Sequence, residues 1–413
     1  MDEMAERAHS GVVITETITP RTASRRHGAG FWLVAYTFAV TMGFSAAPAP
    51  LYVLYQAKDG FGPFTVTLVF AAYALGVIAS LFVAGHVSDW VGRRRVLVPA
   101  VLVNVLAGVV FLAWSSVPAL LAARFLSGIS IGMLTATATA HLTELHLAAR
   151  PGAARTRADV VATAANLGGI GLGPLVAGLL AEYVGDPLHV PYLVFQALML
   201  LGALAVMLTP ETVTATRVRY RPQRVSVPPH ARSRYLAAGA AALAEFAVFG
   251  LFTSLAPGFL ANTLHQHSHA LAGVSVFAVF GAAAVAQIVL ARTALRRLLA
   301  TGLGLLTAGL VLVTVAVWLP SLALFLLGAV LAGAGAGAGF KASIGIVLGL
   351  APAESRGEAL AGLFLAAYAG LAVAVLALGV ATQAVDIRVA LLGFTVALLA
   401  ILAAVVRRLF RAS

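Results

Sequence analysis

The chain has 413 residues, 61% hydrophobic and 10% charged, with 27 Lys and Arg against 15 Asp and Glu for a formal net charge of +12. Soluble domains run at roughly 45–50% apolar and about 25% charged, so the composition excludes a string of water-soluble globules. The absence of cysteine excludes disulfides, thiol chemistry and cysteine-bound metal.

Residues 1–30 are polar and mixed in charge, lack the apolar core and cleavage site of a signal peptide, and read as a cytoplasmic tail. Apolar runs of about 20 residues then recur along the chain, each long enough to cross a bilayer core. They predict spans at about 31–54, 63–85, 96–114, 118–142, 159–183 and 190–208, then 235–259, 271–291, 298–319, 322–350, 359–382 and 388–406. Backbone groups in lipid must bond internally, so the expected fold is all-α, with twelve transmembrane helices. The expected organisation is a first six-helix half at 31–209, a cytoplasmic linker at 210–234, a second half at 235–406 and a short cytoplasmic tail at 407–413.

Basic residues are retained on the cytoplasmic side of short loops. Arginines crowd alternate connections: the amino tail, Arg93 to Arg95, the loop with Arg150, Arg155 and Arg157, the linker from Arg217 to Arg234, Arg292 to Arg297, Arg356, and the carboxyl tail. The other connections hold only Lys58 and Arg388. Both termini are therefore expected in the cytoplasm, and the positive charge serves topology and contact with anionic lipid. No nucleic-acid partner is expected.

The two halves resemble each other weakly. "FAVTMGFSAAPAP" from Phe38 is similar to "FAVFGLFTSLAPG" from Phe246, and "ARTRADVVATAANLGG" to "SRGEALAGLFLAAYAG", pairing Arg155 with Arg356 and Gly169 with Gly370. Duplicated halves are common in transporters.

Between spans 2 and 3 stands "GHVSDWVGRRRVL", Gly85 to Leu97. It resembles the Gly-x-x-x-Asp-x-x-Gly-Arg-Lys/Arg signature of the major facilitator superfamily. The resemblance implies two pseudo-symmetric six-helix halves around a cavity lined by spans 1, 4, 7 and 10. It also implies a conformational latch at Gly85, Asp89, Gly92 and Arg93, with Arg94 and Arg95 beside it, acting on the facing half near Arg356. Trp90 replaces the basic residue usual after the aspartate, which weakens that latch; the alternative is that the arginines are only a topology signal. Three further stretches are similar to the drug:proton antiporter branch. They are "ARFLSGISIG" in span 4, "GGIGLGPLVAG" in span 5 with Gly169, Gly173, Pro174 and Gly178, and "PET" at Pro210 to Thr212.

Three charges lie inside spans: Arg124, Glu245 and Lys341. A charge at the bilayer centre costs at least roughly 2.5–3.5 kcal/mol and usually faces a partner or a wet cavity. Glu245 falls near the midplane of span 7, and a carboxyl in a weakly polar cavity can titrate near neutrality. It is the expected proton carrier, tuned by Lys341. The alternatives are a permanent Glu245–Lys341 ion pair and substrate recognition. Arg124, nearer the outer face, either snorkels or contributes to gating or substrate contact. Lys341 shares a stripe with Gly333, Gly337, Gly345 and Gly349, four residues apart, and Arg124 shares one with Gly128 and Gly132. Such small-residue stripes admit a neighbouring backbone.

Ser45, Thr135, Thr139, Asn166, Thr253, Gln287 and Tyr368 are the expected polar groups of the cavity wall, among apolar neighbours that suit an amphiphilic compound better than a sugar. The external His265 to His269 is expected to be a solvated loop, with no metal and no cofactor. The expected function is alternating-access transport, by proton-coupled efflux of an amphiphilic molecule from a bacterial cytoplasm, as a monomer in the plasma membrane. A proton-coupled uptake permease is the alternative, a non-transporting receptor a more distant one. An intramembrane enzyme would need a nucleophile and base or a metal-ligand cluster, and the spans offer neither.

Overall fold

The computed structural model describes residues 21–216, 220, 222–226 and 231–410. Most of the expected amino tail, with Arg217, Arg219, Arg221 and Arg411, lies outside the described residues. Among the described residues, twelve helices are long and apolar enough to cross a membrane: α1 (Ser24–Asp59), α2 (Pro63–Ala84), α3 (Arg93–Ala113), α4 (Val117–Ala149), α5 (Thr156–Tyr183) and α6 (Val190–Met207) form the first six. The second six are α7 (Arg232–Ser254), α8 (His269–Val289), α9 (Leu295–Trp318), α10 (Leu322–Leu350), α11 (Arg356–Ala384) and α12 (Ile387–Phe410).

Local chemistry sets the helix ends. Proline occupies the first turn of α2, α4 and α6, where its missing N–H is no loss. The Ser268 hydroxyl accepts from Leu271 N to start α8, and Ser321 accepts from Leu324 N to start α10, satisfying donors that the first turn leaves free. Inside α1 the run Pro48-Ala49-Pro50 breaks the regular ladder, and a short 3₁₀ turn over Ala49–Leu51 carries the chain on to Asp59.

Several helices run past the expected spans. Helical structure begins at Arg21 rather than 31, α4 continues to Ala149, and α12 reaches Phe410. Hydropathy marks the part of a helix that meets lipid, whereas hydrogen bonding carries polar ends beyond it. An interruption that hydropathy did not signal sits in α5, where Ala164–Gly168 forms a π turn.

Packing separates two apolar cores. One is built mainly from α1 to α6, around Phe38, Phe44, Tyr52, Tyr55, Leu120 and Tyr192; the other mainly from α7 to α12, around Phe252, Phe259, Leu306 and Phe325. The halves meet where α5 packs on α8 and α2 packs on α11. Leu102, Leu200, Val311 and Val396 are among many large apolar side chains exposed on the perimeter, as a lipid-facing surface requires. The even number of described spans puts the start of α1 and the end of α12 on one face, called here the terminal face.

Candidate functional site

On the terminal face, Gly92 bends the chain into α3 with a φ of 120°, a conformation that favours glycine. It places Arg93 at the helix start, where the guanidinium donates to Asp89 at 2.5 Å, to the Ser88 hydroxyl at 2.7 Å and to Glu144 of α4 at 2.8 Å. Glu144 also accepts from the Thr212 hydroxyl at 2.5 Å. Three arginines at a helix N-terminus oppose the macrodipole, and Glu211 offsets this by accepting from Arg93 N at 2.8 Å and Arg94 N at 3.0 Å. Arg94 reaches the Met207 carbonyl and Arg95 the Val91 carbonyl, while Gly85 closes α2. All of these partners belong to the first half or, as Glu211 and Thr212, to the start of the linker that follows it. The expected contact with Arg356 is not among the ion pairs or hydrogen bonds of the described residues. Glu144 and Glu211 were not singled out from sequence; "PET" at the end of α6 was the available signal.

Between the halves lies a cavity of about 400 Å³. Its lining comes from α1, α2, α4, α5, α7, α8, α10 and α11, twice the four helices expected, because the crossing pairs at the seam between the halves also present side chains inward. Ser45, Thr135, Thr139, Asn166, Thr253, Gln287 and Tyr368 all stand on its wall. Buried Ser45, Tyr52 and Arg124 end it towards the face opposite the termini, and exposed Asp159, not anticipated from sequence, ends it towards the terminal face.

Beyond the blind end the halves are closely packed. Gly178 and Pro174 of α5 lie against His269 and Gly273 of α8, and Gly379 of α11 lies against Thr67 of α2. Glu182 of α5 accepts from His269 N at 2.7 Å. The span-5 glycines thus serve close approach: Gly173 meets the backbone of Gly43 and Gly169 that of Ala39, both in α1.

The three intramembrane charges occupy different places. Arg124 lines the cavity, donates to the Ser45 carbonyl, and lies 4.3 Å from the Tyr73 ring centroid and 5.4 Å from that of Phe70. Lys341 lines it too, its Nζ donating to the Gln287 carbonyl of α8 at 2.7 Å. Glu245 does not line it, which corrects the expectation. Phe246 and Phe249 turn to the cavity, and successive helical residues are rotated by roughly 100°. Glu245, about 40° around the helix from Phe249 and about 100° from Phe246, sits at the edge of that face and turns into the seam with α10, where its Oε1 crowds Gly339. It is 0% exposed and neither carboxyl oxygen has a hydrogen-bond partner. No Glu245–Lys341 ion pair forms among the described residues, because Lys341 is drawn along the α8 side of α10. The loop residue His265 adopts a positive φ of 52°.

A model of the Major Facilitator Superfamily matches residues 33–305. The chain is 30% identical over 117 residues to the arabinose-proton symporter of Bacillus subtilis, covering 28% of this chain and 24% of that protein. It thus spans about a quarter of that curated relative's length. Among solved structures, a POT family transporter in complex with 5-aminolevulinic acid has a TM-score of 0.73 at 12% identity, covering 93% of this chain and 96% of that one. The human organic anion transporter TETRAN has a TM-score of 0.65 at 18% identity, covering 94% of this chain and 99% of that one.

Proposed function

Because the chain belongs to the major facilitator superfamily, and so is a multi-pass membrane transporter of small molecules, we propose that it exports an amphiphilic organic compound in exchange for protons. It works by alternating access in a bacterial plasma membrane, as a monomer, with the terminal face in the cytoplasm. Glu245 carries this reading: a fully buried acid with two unpartnered oxygens, one residue from Phe246 on the cavity wall. An unpaired carboxylate in such a seam costs several kcal/mol of desolvation, so the arrangement suits the neutral acid. Losing the proton favours a conformation that wets or pairs the carboxylate. Substrate in the cavity biases the same two-state equilibrium in the opposite direction, which is the linkage antiport requires.

The terminal-face cluster serves as the conformational latch of this cycle. Arg93 holds Asp89 and Glu144 together within the first half, leaving Asp89 63% exposed at its side chain and available to the facing half when the terminal face closes. Efflux is favoured over uptake by the antiporter-like segments of α4 and α5. The second reading, proton-coupled uptake, is supported by the segment similar to the arabinose-proton symporter.

The test is transport in proteoliposomes with an imposed pH gradient, wild type beside Glu245→Gln. Wild type is expected to move substrate against the proton gradient; Glu245→Gln is expected to lose pH-driven accumulation while still exchanging labelled for unlabelled substrate. Full pH-driven transport by the variant overturns the proton assignment, and accumulation down the proton gradient reverses the direction.

A further inference from the structure

We propose that the cavity is built for an aromatic organic monoanion whose charged head rests on Arg124. This names the substrate class of the transport site above and rests on that cavity being the transport site.

The blind end of the cavity is a cluster of donors without an acid. Arg124 is 2% exposed, its Nε has no hydrogen-bond partner, and it makes no ion pair among the described residues. The Tyr52 hydroxyl is buried beside the Arg124 guanidinium, which can only donate to its oxygen, and its own proton has no acceptor. A buried charge lacking a counter-ion is costly, and the rings of Tyr73 and Phe70 recover only part of that cost as cation–π contact. An incoming carboxylate supplies what is missing: acceptors for Arg124 and for Tyr52, and a compensating negative charge.

The rest of the wall points the same way. Lys341 is the second cation, and among the described residues the only acid on the lining is Asp159, exposed at the end away from Arg124 and within electrostatic reach of Lys341. A cationic substrate meets two positive groups and no carboxylate where it must stop; a neutral one leaves Arg124 unpaired. Arg124 lies seven residues into α4 and Lys341 nineteen into α10. Both helices start at the opposite face, so at helical rise the two cations differ in depth by roughly 18 Å. That is too far for one small dianion to bridge, so the cations act in sequence: Lys341 receives the anion near the terminal face, and Arg124 holds it at the blind end.

Between them stand the rings of Phe246, Phe249, Phe280, Phe340 and Tyr368, with Phe249 stacked on Phe280 at 4.7 Å and Phe246 against Phe340 at 4.8 Å. They form a surface for a flat apolar body, and about 400 Å³ accommodates a small organic ligand.

The test uses purified full-length protein in detergent, with no gradient. Equilibrium dialysis and thermal shift compare three probes sharing one ring system: naphthaleneacetate, naphthaleneacetamide and naphthylethylamine. The acid is expected to bind at least about tenfold more tightly than the amide, a difference of roughly 1.4 kcal/mol, and the amine not detectably. Arg124→Gln is expected to bring the acid down to the amide's affinity while leaving the amide within about twofold of wild type. Tyr52→Phe, which removes one oxygen and keeps the ring, is expected to weaken the acid alone, and it carries the test if Arg124→Gln does not fold. Equal binding of acid and amide, preference for the amine, acid preference surviving both variants, or no acid binding at about ten millimolar overturns the proposal. Binding is read without a gradient, so retention of pH-driven transport by Glu245→Gln sinks the proton assignment alone and leaves the anion result standing.

Discussion

Arg93 binds two carboxylates of unequal worth. Asp89, four residues before it, is mostly exposed, whereas Glu144 is 32% exposed and also holds the Thr212 hydroxyl. Exposed ion pairs contribute about 0–1 kcal/mol, while hydrogen bonds between charged groups in a partly buried site contribute about 1.5–3 kcal/mol. Glu144→Gln is therefore expected to lower the melting temperature more than Asp89→Asn in matched thermal unfolding; the reverse order would remove Glu144 as the anchor of the cluster. Motif spacing made Asp89, Gly92 and Arg93 recognisable, since their relation is local. It did not reveal Glu144, 51 residues from Arg93, because only the packing of α3 on α4 brings them together. Glu211 was visible as part of "PET", but its role as acceptor for the first N–H groups of α3 depends on where α6 ends.

Helix α10 shows how one periodic pattern divides its work. The stripe Gly333, Gly337 faces α8, where added Cβ atoms would meet the backbones of Val279 and Ala283, while Gly335 faces Leu306 of α9. Gly349, in the same repeat, has open space around it. Gly333→Ala is expected to separate α10 from α8, with a loss of monodisperse protein in size-exclusion chromatography. Gly349→Ala is expected to be neutral or more stable by up to about 1 kcal/mol from helix propensity. Equal behaviour of the two variants would show that the stripe is not a packing seam. The corresponding face of α4 behaves alike: Gly128 meets the backbone of α2 at Tyr73 and Gly76, and the same contact sets Arg124 over Tyr73. The four-residue repeat was readable from sequence. Which neighbour each stripe meets was not, nor was the rotation of α7 that presents Phe246 to the cavity and turns Glu245 away.

Taken together, an anionic substrate and a proton moving in opposite directions make the proposed cycle electrogenic. Export of one monoanion against entry of one proton moves two charges across the membrane, each worth about 2.3 kcal/mol per 100 mV, so an interior-negative potential assists both movements. A potassium-diffusion potential imposed on proteoliposomes at equal pH on both sides is expected to drive transport; rates unchanged by its size or sign would exclude this stoichiometry. Hydropathy and its interruptions were sufficient to specify an all-helical, twelve-span chain, because a bilayer forces each apolar run into one closed hydrogen-bonded element; the two halves were legible only through weak internal similarity and the family resemblance. The seven polar wall residues were accessible for the same reason, as rare hydroxyl and amide groups in apolar spans. Tertiary packing alone decided that Glu245 is sealed against Gly339, that Lys341 bonds to the α8 backbone, and that Arg124 ends the cavity without a counter-ion. Those outcomes depend on helix rotation and on contacts between distant segments, and a shift of one residue, roughly 100° about the axis, is enough to exchange a cavity-facing side chain for a buried one.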